Sequence, residues 1–133
     1  MTAITVNDYT PQDLLDAARN LLSRADRSSY GIWPRAAAHL CRQALEQILD
    51  DFWRARLPVL VSASMRTQLT SLPTFLRNDD ASTSAAYTWD CLSNACHHHP
   101  YELAPSEAEL RRWIDETERL RHEVVRSLSR QKS

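Results

Sequence analysis

Glycine occurs once in these 133 residues, at Gly31. Tight hairpin turns and bulges need positive φ angles that glycine adopts without steric cost, so a sheet protein of this length would carry several. An all-β fold is therefore nearly excluded. A hydrophobic content of 43% with 25% charged residues is ordinary for a globular chain, and the length suits one core rather than two. Residues 1–133 are read as a single domain.

Apolar residues recur at the spacing of a helix in five segments. The first opens at Thr10-Pro11-Gln12-Asp13. There Thr10 can cap, Pro11 suits the first helical position and Asp13 complements the helix dipole. Its face (Leu14, Leu15, Ala18, Leu21, Leu22, Ala25) carries the helix to about Asp26. After Pro34 comes the longest pattern, RAAAHLCRQALEQILDDFWRARL, closed by Pro58. Its apolar face is wide enough that this helix is expected at the centre of a bundle. A short helix is expected from Met65 to Leu72, stopped by Pro73, which lacks an N–H and clashes with the preceding turn. Asp79 and Asp80 offer a cap for a fourth helix, with Ala85, Ala86, Trp89, Leu92 and Cys96 inward, ending in a run of histidines before Pro100. The fifth begins at a capping box, Ser106-Glu107-Ala108-Glu109, and turns Leu110, Trp113, Ile114, Thr117, Leu120, Val124 and Leu128 toward the core. A polar tail from about residue 129 is expected to fray. The fold expectation is all-α: an up-and-down helical bundle of four long helices and one short one.

Charge and cysteine content narrow the partners. Sixteen basic against seventeen acidic residues give a net charge of −1, so no global field draws the chain to nucleic acid or to an anionic membrane. Any such contact must be local. The longest apolar run, Leu57 to Val61, is far short of a membrane span, and MTAITVNDY lacks the pattern of a secretory signal. The expectation is a cytoplasmic chain with no membrane partner. Cys41, Cys91 and Cys96 are an odd set without the spacing of a disulfide framework.

The unusual stretch is Cys96-His97-His98-His99-Pro100-Tyr101-Glu102, at the join of the fourth and fifth helices. Three readings compete there. Cysteine and histidine are zinc ligands, yet neighbouring residues point in different directions and no second CxxC or HxxxH pair completes a tetrahedral set. Imidazoles can also cap a helix C-terminus, where a protonated ring meets unbonded carbonyls, with Tyr101 packed below. The third reading is catalytic and rests on a resemblance. The long helix RAAAHLCRQALEQIL, then a helix ending in SNACHHHPYE and a final capped helix, resembles the HEPN domains (higher eukaryote and prokaryote nucleotide-binding) over about Pro34 to Leu128.

That resemblance implies a helical bundle that forms homodimers and sets its motif in a cleft between protomers. It also implies a metal-independent ribonuclease without cofactor, of the kind found in toxin–antitoxin and antiviral defence systems, with RNA and an antitoxin or defence protein as partners. The family motif is an arginine, four to six residues, then histidine, often followed by x-Tyr. Here His99-Pro100-Tyr101 matches its second half, with His98 as the fallback register. Catalytic roles then fall to His99, His98 and Asn94, and substrate contacts to Ser93, His97 and Tyr101, with no metal.

The arginine of the motif is absent. Four intervening residues before His99 lead to Asn94, and no other register from His97, His98 or His99 meets an arginine. Attack by a 2′-hydroxyl needs a proton acceptor, a proton donor and a fixed positive charge on the phosphate; histidine serves the first two and asparagine cannot serve the third. Three accounts stay open: a weakened or inactive copy, a charge arriving from elsewhere, or a substitution at position 94. The competing function is a non-catalytic homodimeric module that binds a protein partner or a nucleotide. Arg35 and His39, one turn apart, are expected to form a surface pair, and His122 to be solvated. Trp33, Trp53, Trp89 and Trp113 are expected in the core or at a dimer seam rather than under bases.

Overall fold

The computed structural model describes residues 9–24, 33–97 and 103–131. Among them lie five α-helices, α1 (Pro11–Ser23), α2 (Trp33–Arg56), α3 (Met65–Leu76), α4 (Asp79–Cys96) and α5 (Glu107–Gln131), and a 3₁₀ helix at Pro58–Ser62; no strand occurs. The all-α class holds. No helix among the described residues is long and apolar enough to cross a membrane.

The bundle is organised around α2, which packs against α1, α3, α4, α5 and the 3₁₀ helix. Ala37, Ala38 and Ala44 are fully buried beside Leu45, Leu49, Phe52 and Trp53. The buried side chains are small in the first half of α2 and large in the second, so neighbouring helices can approach closely at the alanines while the leucines and aromatics fill the space further along. Trp53 meets both Phe52 (centroids 5.0 Å apart) and Phe75 (5.3 Å) edge-on, which ties α3 to the far end of α2.

Helix starts follow the sequence closely. At α1 the Thr10 hydroxyl accepts from the Asp13 N–H (3.1 Å) and the Asp13 carboxylate accepts from the Thr10 N–H (3.0 Å), a full capping box. At α5 the Ser106 hydroxyl and the Glu109 carboxylate make the same exchange at 3.1 Å each. Other boundaries differ. The cap of α4 is Asn78, whose side chain accepts from the Ala81 N–H at 3.0 Å, and Asp79 and Asp80 lie inside the first turn. Helix α2 begins at Trp33, with Pro34 within it and buried. Helix α3 runs through Pro73 to Leu76, because packing outweighs the lost N–H: Leu76 is buried, Phe75 lies against Trp53, and Arg56 Nη2 donates to the Phe75 carbonyl (3.3 Å). The end of α1 is Ser23, and Ala25 and Asp26 lie outside the described residues. At the other terminus α5 continues to Gln131, past the expected start of the polar tail.

The α1–α5 seam closes on Glu118, which accepts from Gln12 (3.2 Å), Arg19 (3.2 Å) and Arg121 (2.6 Å). Burial acts to raise its carboxyl, but the bonds from Arg121, Gln12 and Arg19 outweigh that and hold it below the ordinary range. Across the α2–α5 seam the Cys41 sulfur lies 3.4 Å from the Thr117 hydroxyl, which also donates to the Trp113 carbonyl (2.8 Å). Burial pushes the Cys41 thiol from 9.0 up to about 12, with Thr117 offsetting part of the rise.

Two outcomes follow from this packing. An unfolded chain can release the Cys41 proton near 9.0 while the folded chain keeps it to about 12, so this contribution to stability is complete below 9.0 and fades as pH rises through that window. Urea midpoints measured across alkaline pH should therefore fall more steeply for the wild type than for Cys41→Ala, and a thiol reagent should label Cys91 and Cys96 on the native chain but Cys41 only after unfolding. Replacing exposed Pro73 by alanine supplies the missing donor to the Leu69 carbonyl and should stabilise the chain by about 1–3 kcal/mol in chemical denaturation.

Candidate functional site

The end of α4 is where the chemistry-bearing residues gather. Helix geometry stops at Cys96; His97 has extended backbone (φ −77°, ψ 134°), and its N–H reaches the Asn94 carbonyl at 3.3 Å. A helix C-terminus leaves carbonyls without intrahelical donors. Here the donor comes from α2: Arg35 Nη1 lies 3.0 Å from the His97 carbonyl oxygen and 3.4 Å from that of Ala95. The guanidinium is half-buried and forms no ion pair with a described residue.

These groups border an open cleft of about 440 Å³ between the end of α4 and the start of α5. Arg35, Asn94 and His97 line one side, and Ser106, Glu109 and Trp113 the other. Asn94 is exposed at the cleft, and the capped end of α5 sits opposite. The cleft therefore brings together one guanidinium, one imidazole, one carboxamide and one carboxylate, a set able to hold a phosphate and to exchange protons.

Sequence-expected residues are distributed unevenly around it. Asn94 and His97 share the cleft. Ser93 is half-buried and does not line it, and its hydroxyl oxygen is buried with no hydrogen-bond partner among the described residues. His98, His99 and Tyr101 lie outside the described residues. Among the described residues no three His, Cys, Asp or Glu side chains are grouped to hold a metal ion.

Arg35 is the residue that sequence reasoning placed wrongly. The expected surface pair with His39 does not form; His39 is exposed, and Arg35 reaches across to α4 because the carbonyls there offer bonds that an exposed imidazole does not. No local pattern could signal this, since the partners stand 60 and 62 residues apart. Further along α2, Arg42 lies 5.8 Å over the ring of Trp89 and bonds Glu46 at 2.9 Å. Burial raises the Cys96 thiol, and the Arg42 guanidinium pulls it back. The tryptophans are core residues in the main: Trp53 and Trp113 are buried, Trp33 and Trp89 half-buried against the core. His122 has a 67% exposed side chain 4.0 Å from Glu118, the solvated position expected of it.

A larger cleft, of about 830 Å³, lies elsewhere, between α2 and the start of α3. Glu46, Asp50, Asp51 and Arg54 line it, and burial together with the neighbouring Asp50 raises the Asp51 carboxyl. Among the described residues no histidine or cysteine lines it, and its acidic wall repels phosphate, so size does not make it the site.

No protein-family model matches the chain, and neither the curated proteins nor the solved structures contain a match. The site rests on its own geometry. Because the Ser106 box forms one wall, Ser106→Ala should cost about 1 kcal/mol in urea denaturation and loosen the α5 end of the cleft, read as faster amide exchange at Glu107 to Glu109.

Proposed function

We propose that this chain is an HEPN-like, RNA-directed domain of a bacterial defence or toxin–antitoxin system, acting as a metal-independent endoribonuclease of reduced strength. In this reading the four long helices run up and down, two copies pair so that their clefts face one another, and the chain works in the cytoplasm. One observation carries it: the half-buried Arg35 guanidinium stands at the cleft that Asn94 and His97 line. The motif lacks its own arginine, and α2 brings a positive charge to the same place from another part of the chain.

His99 would take the proton from the 2′-hydroxyl or return one to the leaving oxygen, as a group titrating near neutrality can do. Arg35 would counter the charge that grows on the phosphate, with Asn94 as a neutral donor beside it. That guanidinium already serves two carbonyls, so it meets the phosphate with fewer donors than an arginine devoted to it. Slow cleavage is the consequence.

A specific observation also favours the non-catalytic reading. Leu103, which lines the cleft, is 96% exposed, and Tyr87, one turn of α4 before cleft-lining Cys91, is 64% exposed. Apolar side chains left in water around a cleft suit a protein partner.

The deciding experiment incubates the full chain with structured and single-stranded RNA in the presence of a chelator. Cleavage should occur, vanish in His99→Ala, and fall about a hundredfold in Arg35→Gln, whose amide can still donate to the His97 carbonyl. Asn94→Arg should raise it and slow growth of the expressing host, while Asn94→Arg with His99→Ala should stay harmless. A folded, dimeric Asn94→Arg variant that leaves RNA intact would replace this reading with the interaction module.

A further inference from the structure

At the opposite end of the bundle three helices finish together: α2 at Arg56, α3 at Leu76 and α5 at Gln131. Arg56, Arg77 and Arg130 line a cleft of about 260 Å³ there, with Phe75 and Leu76 forming its apolar part and Ser127 and Gln131 adding neutral polar groups. No carboxylate lines it among the described residues. This is unlike the rest of α5, where Arg111, Arg119, Arg121 and Arg126 each pair with a glutamate of the same helix. None of the three cleft arginines forms an ion pair with a described residue; their only side-chain hydrogen bond to a described residue runs from Arg56 to the Phe75 carbonyl, at 3.3 Å, and the Arg77 backbone N–H bonds the Pro73 carbonyl.

Basic residues near helix C-termini commonly answer the negative end of the helix dipole, and that role accounts for part of the cluster. Each helix end carries about half a negative charge, so three ends offset about 1.5 of the three positive charges. A comparable positive charge remains on the cleft lining itself, with Asp79 and Asp80 of the next helix outside that lining. Arg77 adds a second sign of purpose beyond capping. It holds the left-handed conformation (φ 58°), which a residue with a Cβ adopts at a steric cost and glycine adopts freely. A glycine would close α3 at least as well, but it would bring no guanidinium to the cleft.

We propose that this three-arginine cleft is an anion site for a phosphate-bearing ligand, held by charge-assisted bonds from Arg56, Arg77 and Arg130. It is separate from the histidine run: Arg35 and Arg56 stand 21 positions apart on α2, about 31 Å along the axis at 1.5 Å per residue. One phosphate cannot touch both. The site takes either a small phosphate compound or a distant stretch of an RNA backbone, which present the same chemistry.

Three probes separate these sources: inorganic phosphate, AMP, and a fluorescein-labelled single-stranded RNA, each titrated against the full chain. Arg77→Gly with Arg130→Gln is the informative variant, because the glycine relieves backbone strain and the second position is exposed, so the fold is expected to survive. Binding should weaken about tenfold or more in this variant, and for RNA the slope of log affinity against log salt should flatten by about 0.7 for each phosphate that no longer meets an arginine. Competition of phosphate or AMP with RNA would support a shared backbone site, and binding of the small compounds alone would support a small-molecule site. A folded double variant with unchanged affinity and salt slope overturns the proposal, as does failure of the wild type to bind any of the three.

Discussion

Helix α2 takes part in most of the contacts between the elements of this molecule. A helix that must bury most of its circumference can do so only if other helices surround it, and α1, α4 and α5 supply those walls. The alanines at positions 37, 38 and 44 let the walls approach closely, while Leu45, Leu49, Phe52 and Trp53 fill the space between them. The remaining stripe of α2, with Glu46, Asp50 and Asp51, borders the open acidic cleft instead. Burial of the Cys41 thiol and the Thr117 hydroxyl against each other belongs to the same constraint, since buried polar groups need partners, found here in one another and, for Thr117, in the Trp113 carbonyl.

Closing helices around a central one leaves the chemistry at their ends. Helix interiors satisfy their own backbone, but each terminus presents unbonded N–H or carbonyl groups that need partners. At the amino ends of α1, α4 and α5 the partner is local, a Thr10, Asn78 or Ser106 side chain. At the carboxyl ends it comes from afar: Arg35 serves α4, and Arg56 serves α3. Both arginines keep a positive charge that neutral carbonyls cannot cancel, and both face clefts. Structural capping and anion recognition are thus compatible uses of one side chain.

A net charge of −1 hides this arrangement. Most acidic residues of α5 pair with arginines along its length or across the α1 seam, and those of α2 border the large cleft, while Arg56, Arg77 and Arg130 line a cleft that no described carboxylate lines. Electrostatic attraction acts over about 8 Å at physiological salt, which makes the local distribution, rather than the sum, the quantity that decides what binds where.

The helical class, the central place of α2 and the caps at Thr10 and Ser106 were legible in the sequence because each depends on residues within a few positions of one another, through periodicity or a bond three residues long. The cap at Asn78 was missed by one residue for the same local reason, since asparagine and aspartate compete for that role. The passage of α3 through Pro73 could not be read, because the penalty of proline is local while the packing of Phe75 and Leu76 that outweighs it is not. Of the candidate site, Asn94 and His97 were legible as members of one helix end. Arg35 at that end, and the meeting of Arg56, Arg77 and Arg130 at the other, were decided only by tertiary structure: these side chains come from different helices, and only the packed bundle holds their charges against one cleft.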